Sequence, residues 1–317
     1  MFLRGFCLIL GIFAGVFPAL AEQLTGDIEV HDPSTIVKCD DRYWTFATGQ
    51  GLESLWSTNL IEWHRGERVF DRAPAWTVDS IPGNRGFFWA PDIVKLTNGF
   101  HLYYTVSTWG SPVSAIGLAT NPTLDPQNPA FKWTDRGVVI KSAKEDNFNA
   151  IDPSAMQDRN GRLWMAFGSF WSGIKLIELD AVTGLRIQPE SPIHSLAWKE
   201  QIEASFLSQR GEYYYLFVNW GLCCRGTNST YNIRVGRSRE VTGPYFDESG
   251  QDLMNGGGTL FLKTKGAMIG PGHAAFVVKE GREFVSFHYY DGNRLGAKTL
   301  GLLPLTWTDV GWPRSGF

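Results

Sequence analysis

One short phrase is written five times along this chain of 317 residues, and it limits the folds open to the chain more than any other feature. The phrase is a polar residue, a short apolar stretch, a turn, and then an aromatic-rich run. It reads His31-Asp32-Pro33-Ser34 before Tyr43-Trp44-Thr45-Phe46, then Ala90-Pro91-Asp92-Ile93 before Leu102-Tyr103-Tyr104. It recurs as Ile151-Asp152-Pro153-Ser154 before Leu163-Trp164-Met165-Ala166-Phe167 and as Ile202-Glu203-Ala204-Ser205 before Tyr213-Tyr214-Tyr215-Leu216-Phe217. The last copy is Gly272-His273-Ala274 before Phe284-Val285-Ser286-Phe287. One position of the phrase holds Asp32, Asp92, Asp152, Glu203 and His273, at spacings of 60, 60, 51 and 70 residues. Repeats of this length point to a radial array whose equivalent positions converge on the axis. The carboxylates and the histidine are then expected to face one another.

Between these phrases the chain reads as short strands. Runs with helical periodicity and caps are missing, while β-branched and aromatic runs are punctuated by turn residues. Asn98-Gly99 and Asn160-Gly161 are hairpin signals, because Gly and Asn enter a positive-φ turn cheaply. Each repeat continues into a second hairpin, as in Ser54-Leu55-Trp56-Ser57 before Trp63, Ile174 to Leu179, Tyr231 to Gly236 before Gly243-Pro244-Tyr245, and Leu295 to Trp312. Four strands per unit and five units predict an all-β fold, a five-bladed β-propeller, as one domain over residues 22–317. A duplicated β-sandwich is the competing architecture. It fits a five-fold repeat poorly.

Residues 1–21 are set apart from that domain. Arg4 starts the segment, Phe6 to Phe17 is an apolar run short for a bilayer span, and Ala19-Leu20-Ala21 is a cleavage signal. This predicts a secretory signal peptide and a secreted protein, extracellular or periplasmic, with no membrane segment after cleavage. The net charge is −3 and no basic run occurs, which argues against nucleic acid as a partner. Aromatics make up 14 % of the chain, enough to fill a β core and still place rings where sugars stack. Cys39, Cys223 and Cys224 follow the signal, too few for a disulfide framework and without zinc spacing. In an oxidising compartment Cys223 and Cys224 either close a vicinal disulfide, a small ring that stiffens a loop, or stay as thiols.

A proline fixes its own φ and biases the residue before it toward extended backbone, so Asp32 and Asp152 are expected extended at the start of an axial strand. Glu203 reaches in from the next blade. Glycosidic cleavage needs two carboxyls with different tasks, one protonated for the leaving oxygen and one ionised. A third carboxylate raises the pKa of the acid by repulsion.

His31-Asp32-Pro33-Ser34, Trp89-Ala90-Pro91-Asp92, Ser114 to Ala119, Asn149 to Pro153, Gly168-Ser169-Phe170-Trp171, Ile202-Glu203-Ala204 and Gly270-Pro271-Gly272-His273 together resemble glycoside hydrolase family 43, in particular its endo-α-1,5-L-arabinanases. The likeness runs from about residue 28 to 313, and Ser205 departs from it where the family usually has proline. The resemblance implies a monomeric propeller that hydrolyses α-1,5-linked arabinan of plant cell walls with inversion. It implies Asp32 as general base, Glu203 as general acid and Asp152 as the residue that tunes and orients that acid. Gly117, Asn149, Ser169, Phe170 and Trp171 would line the furanose subsites, together with Asp32 and Asp152. His273 would sit beside a bound ion, commonly calcium, with water completing the shell. For Asp92, a structural and a substrate-side role both stay open. Two rival functions are an exo-acting arabinofuranosidase or β-xylosidase of the same family and a non-catalytic carbohydrate-binding propeller.

Overall fold

The computed structural model describes residues 23–316, so the signal-peptide expectation for residues 1–21 lies outside the described residues. Five sheets are present, each an antiparallel meander, and together they are the blades of a five-bladed β-propeller. Blade 1 comprises Val37–Cys39, Arg42–Ala47, Glu53–Ser57 and Glu62–Arg65. Blade 2 comprises Phe87–Leu96, Gly99–Ser107, Ser114–Asn121 and Thr134–Ser142. Blade 3 comprises Ser154–Gln157, Leu163–Phe167, Ile174–Leu179 and His194–Ala197. Blade 4 comprises Ile202–Arg210, Tyr213–Trp220, Asn232–Ser238 and Thr259–Leu262. Blade 5 comprises Met268–Lys279, Arg282–Asp291, Ala297–Trp307 and Pro313–Ser315. The outer strand of blade 4 follows Gly243-Pro244-Tyr245 rather than containing it. The one α-helix among the described residues is Ala75–Ser80, on the link from blade 1 to blade 2.

The aromatic-rich run of each phrase becomes the second strand of its blade. These strands are packed on both faces by neighbouring blades, which is why they read as continuous apolar runs instead of alternating ones. In Leu163–Phe167 every residue is buried. The core is accordingly divided among the interfaces between blades. Trp44 and Phe46 of blade 1 pack with Phe88 and Leu102 of blade 2. Tyr103 and Leu118 of blade 2 pack with Leu163 and Phe167 of blade 3. Ala166 and Leu176 meet Leu207 and Leu216 between blades 3 and 4, and Phe217 meets Val285 and Phe287 between blades 4 and 5.

The fifth interface closes the ring. Thr25–Gly26 pairs parallel to the outer strand of blade 1, at Glu62 and Trp63. The chain then crosses to blade 5, where Val30 N donates to Lys298 O at 3.2 Å and Leu300 N donates to Ile28 O at 2.8 Å. Val30, Leu55 and Trp63 pack there against Val277 and Leu300.

Candidate active site

The first strands of the blades begin at one mouth of the axis, and each begins with the same distortion. Asp32, Ala90, Asp152, Ala204 and His273 all have positive φ, at 51°, 34°, 56°, 52° and 59°. In blades 2, 4 and 5 this residue lies within a break in the ladder, where three residues of the first strand span two of the second. Such bulges bend a strand and re-aim its side chains. Two expectations are corrected by this. Asp32 and Asp152 are not extended before their prolines: just ahead of the first paired residues of their blades, Asp32 N donates to His288 Nδ1 at 3.2 Å and Asp152 N donates to Thr105 Oγ1 at 3.1 Å, and these hydrogen bonds override the local preference. The structurally equivalent residues are also not the five read from the phrase. Glu203 precedes its equivalent position by one residue, and Asp92 follows its own by two.

The offset explains Asp92. It occupies the place of Ser34 and Ser154, inside the ring, where Oδ1 accepts from Thr35 N at 3.0 Å and Oδ2 accepts from Ala155 N at 2.8 Å. It joins blades 1 and 3 across blade 2. Its role is structural. Burial pushes its pKa up, against those backbone hydrogen bonds.

Asp32 is held by two donors on Oδ2, Thr48 Oγ1 at 2.7 Å and His31 Nδ1 at 3.0 Å. Its Oδ1 lies 3.4 Å from His273 Nδ1 and 3.5 Å from His288 Nδ1. Burial would raise its pKa, but the His31 and His273 rings hold the carboxyl well below its ordinary range, so it is ionised. Asp152 Oδ2 accepts from Ala204 N at 3.1 Å, which ties it to the residue after Glu203. Glu203 Oε2 accepts from Ser169 Oγ at 2.8 Å and Oε1 accepts from the Tyr231 hydroxyl. Burial raises both of these carboxyls, and repulsion from Glu203 adds to the rise of Asp152 to about 8. Repulsion between the two opposes ionising both at once. One ionised carboxylate and one raised pair are thus set side by side.

A cleft of about 500 Å³ opens over Glu203. Asn149, Ser169, Phe170 and Trp171 line it, as the sequence suggests. Trp109, 75 % exposed, and Trp171, 40 % exposed, leave ring faces free for stacking on a sugar. Gly117 is not brought to this cleft. It lies in the third strand of blade 2, where an added Cβ would stand 2.5 Å from the ring of Trp76 and 2.7 Å from that of Tyr104. Close packing requires the glycine there. Cys223 and Cys224 are joined as a vicinal disulfide, and Cys223 lines the cleft.

Sequence reading misses Thr48, Tyr231, His288 and Trp109. Tyr231 and Trp109 stand close to quoted motifs, but nothing in their local pattern marks them. His288 approaches Asp32 only through the pairing of the strands of blade 5.

The fit of an ion is decided by donors and field. His273, Ser34, Ser154, Ser205 and Asp92 line a small cavity on the axis. Burial would lower the pKa of His273, but its hydrogen bond to Asp32 and the charges of Asp32, Asp152 and Asp92 raise it to about 9. The carboxylates make the place electronegative, and a cation bound there would compete with the His273 proton for that field. The serine hydroxyls and the Asp92 carboxylate on this side are oxygen donors of the kind calcium takes. His31, Asp32 and His288 also bring ligand atoms within 4.8 Å of one another, but that imidazole-rich set suits a softer ion.

A five-bladed propeller that gathers an ionised Asp32 and a raised Asp152–Glu203 pair beneath an aromatic cleft has the machinery of a glycoside hydrolase. The chain belongs to the glycosyl hydrolases family 43, whose pattern matches residues 25–313. It is 39 % identical over 301 residues to an extracellular exo-α-(1→5)-L-arabinofuranosidase of Cellvibrio japonicus, covering 90 % of this chain and 86 % of that one. It is 38 % identical to an extracellular endo-α-(1→5)-L-arabinanase of Bacillus subtilis, covering 95 % and 93 %. Among solved structures, the α-L-arabinanase of Cellvibrio cellulosa complexed with arabinohexaose superposes with a TM-score of 0.86 at 38 % identity, covering 91 % of this chain and 95 % of that one.

Proposed function

We propose that the protein is a secreted hydrolase of α-1,5-linked L-arabinan that cuts within the chain and inverts the anomeric centre. Asp32 accepts a proton from water as the water oxygen attacks the anomeric carbon. Glu203 gives its proton to the departing glycosidic oxygen as the carbon–oxygen bond breaks. Asp152 opposes the ionisation of Glu203 by repulsion and orients it through the backbone of Ala204. The observation that carries this reading is the contrast in surroundings: Asp32 is held by Thr48, His31 and His273, which favour its ionised form, while Glu203 and Asp152 are buried beside each other and raised, as a base and an acid require. Asn149, Phe170 and Trp171 would hold furanose rings in the cleft, while Ser169, bonded to Glu203, serves the acid. A calcium ion held beside His273 would add a positive charge that favours the ionised form of Asp32.

The Bacillus subtilis relative is named an endo-arabinanase, and both relatives are named extracellular, which supports endo action and secretion. The Cellvibrio japonicus relative is named an exo-enzyme, which supports the second reading, release from a chain end. Product chromatography on linear arabinan separates the two. A ladder of oligomers is expected, and a single short product from the earliest time points would establish exo action. NMR of the first product should show the inverted anomer. Retention would remove Asp32 from the role of base.

A further inference from the structure

We propose that Tyr290 and the Cys223–Cys224 disulfide are positioning groups for Asp32, acting on it through the ring of His31. The inference rests on Asp32 being the base. Tyr290 is 1 % exposed and lies on the second strand of blade 5, and its hydroxyl oxygen accepts from Cys224 N at 2.6 Å. That oxygen lies 3.2 Å from His31 Nε2, and His31 Nδ1 lies 3.0 Å from Asp32 Oδ2. The Cys224 N–H takes one lone pair of the tyrosine oxygen and leaves its hydroxyl proton free to be given to Nε2. His31 then presents its Nδ1–H to Asp32, which is the tautomer a carboxylate acceptor needs. Thr48 gives the second hydrogen bond to the same oxygen. Oδ2 is therefore committed, and Oδ1 is the oxygen left to take a proton from water.

The start of the relay is a backbone N–H in a surface loop, a poor anchor unless the loop is rigid. Cys224 has φ of 62°, a left-handed conformation uncommon outside glycine. The disulfide to Cys223 closes a ring across that single peptide bond and removes the rotations that would turn the N–H away. The ends of the loop are pinned as well, with Leu222 N donating to Thr230 Oγ1 at 3.0 Å and Ser229 Oγ donating to Leu222 O at 2.9 Å. The residue after Thr230 is Tyr231, which holds Glu203. One cross-linked loop thus reaches the base through Tyr290 and His31 and the acid through Tyr231.

The test is a double-mutant cycle in which Asp32 is replaced chemically. Asp32→Ala should be inactive and regain turnover with sodium azide, whose attack needs no base. Tyr290→Phe should lower kcat roughly ten-fold with KM within about two-fold, as expected for a misplaced base. In the azide-rescued Asp32→Ala background, Tyr290→Phe should change turnover less than about two-fold, because its only route to the reaction has gone. Cys223→Ser/Cys224→Ser should lose more turnover in the native background than in the azide-rescued one, where only its route through Tyr231 to Glu203 remains, with an added rise in KM because Cys223 lines the cleft. An equal loss from Tyr290→Phe in both backgrounds, or no loss of kcat in the native background, would overturn the proposal. If Tyr290→Phe does not fold, the serine pair decides on the same criteria. Full activity of Asp32→Ala without azide would instead remove the base assignment itself.

Discussion

Asp152 and Glu203 are two carboxyls raised by burial, and their immediate neighbours decide at what pH each ionises. Burial is the main cause that raises Glu203, and the charge of Asp32 adds to it; replacing Asp152 by Asn removes in addition a carboxylate whose mutual repulsion with Glu203 opposes ionising both. The pKa of the acid then falls, and the basic limb of the kcat/KM profile should move to lower pH, which a pH–rate series would check. Tyr231→Phe acts in the opposite sense. The Tyr231 hydroxyl stabilises the ionised Glu203, so its loss raises the pKa of the acid and should move the same limb to higher pH. Because the acid is also less well oriented, kcat at the optimum should drop about 10²-fold or less. At this scale the sequence exposes the reacting carboxylates and little of what governs them. Asp32, Asp152 and Glu203 stand in recognisable phrases. Thr48, Tyr231 and His288 reach them from other strands, and His288 is 256 residues away along the chain.

The first strand of each blade is the element that turns repeat into site. Its bulge lets three residues occupy the ladder space of two, so a shift of one or two residues sends a side chain to the cleft, to the channel or into the ring. Glu203 faces the cleft and Asp92 faces inward for this reason, although both stand in the same phrase. Asp92→Ala leaves Thr35 N and Ala155 N without their acceptors, each a buried backbone donor. It should cost about 2–6 kcal/mol, at about 1–3 kcal/mol per orphaned group, read as a lower midpoint in urea melts. The phrase alone could not separate Asp92 from the catalytic positions, because both are carboxylates beside a proline and the bulge is not written in residue type.

For the whole molecule, the ring is only as firm as its closure. Residues 28–30 complete blade 5 after residues 25–26 have paired with blade 1, so the two ends of the fold are locked by backbone hydrogen bonds. Deleting residues 23–30 should lower Tm by roughly 5–10 °C, given ~2–4 °C per kcal/mol for a domain of this order, and calorimetry would check it. If calcium lies on the axis, dialysis against a chelator should lower Tm and kcat together, with metal content followed by mass spectrometry and both restored by added calcium. The number of blades, the strand-rich character and the family were determined by sequence, since a five-fold phrase with aromatic second strands has few ways to bury its apolar faces. What the tertiary structure decided is how those phrases are placed: which carboxylates face the cleft, that Gly117 packs against Trp76 and Tyr104, and that His31, Tyr290 and the cysteine pair stand in line with Asp32. The reason is physical. Strand periodicity and turn chemistry are local and can be read along a chain, whereas the protonation and aim of a buried carboxyl depend on groups that only the closed ring brings within a few ångströms.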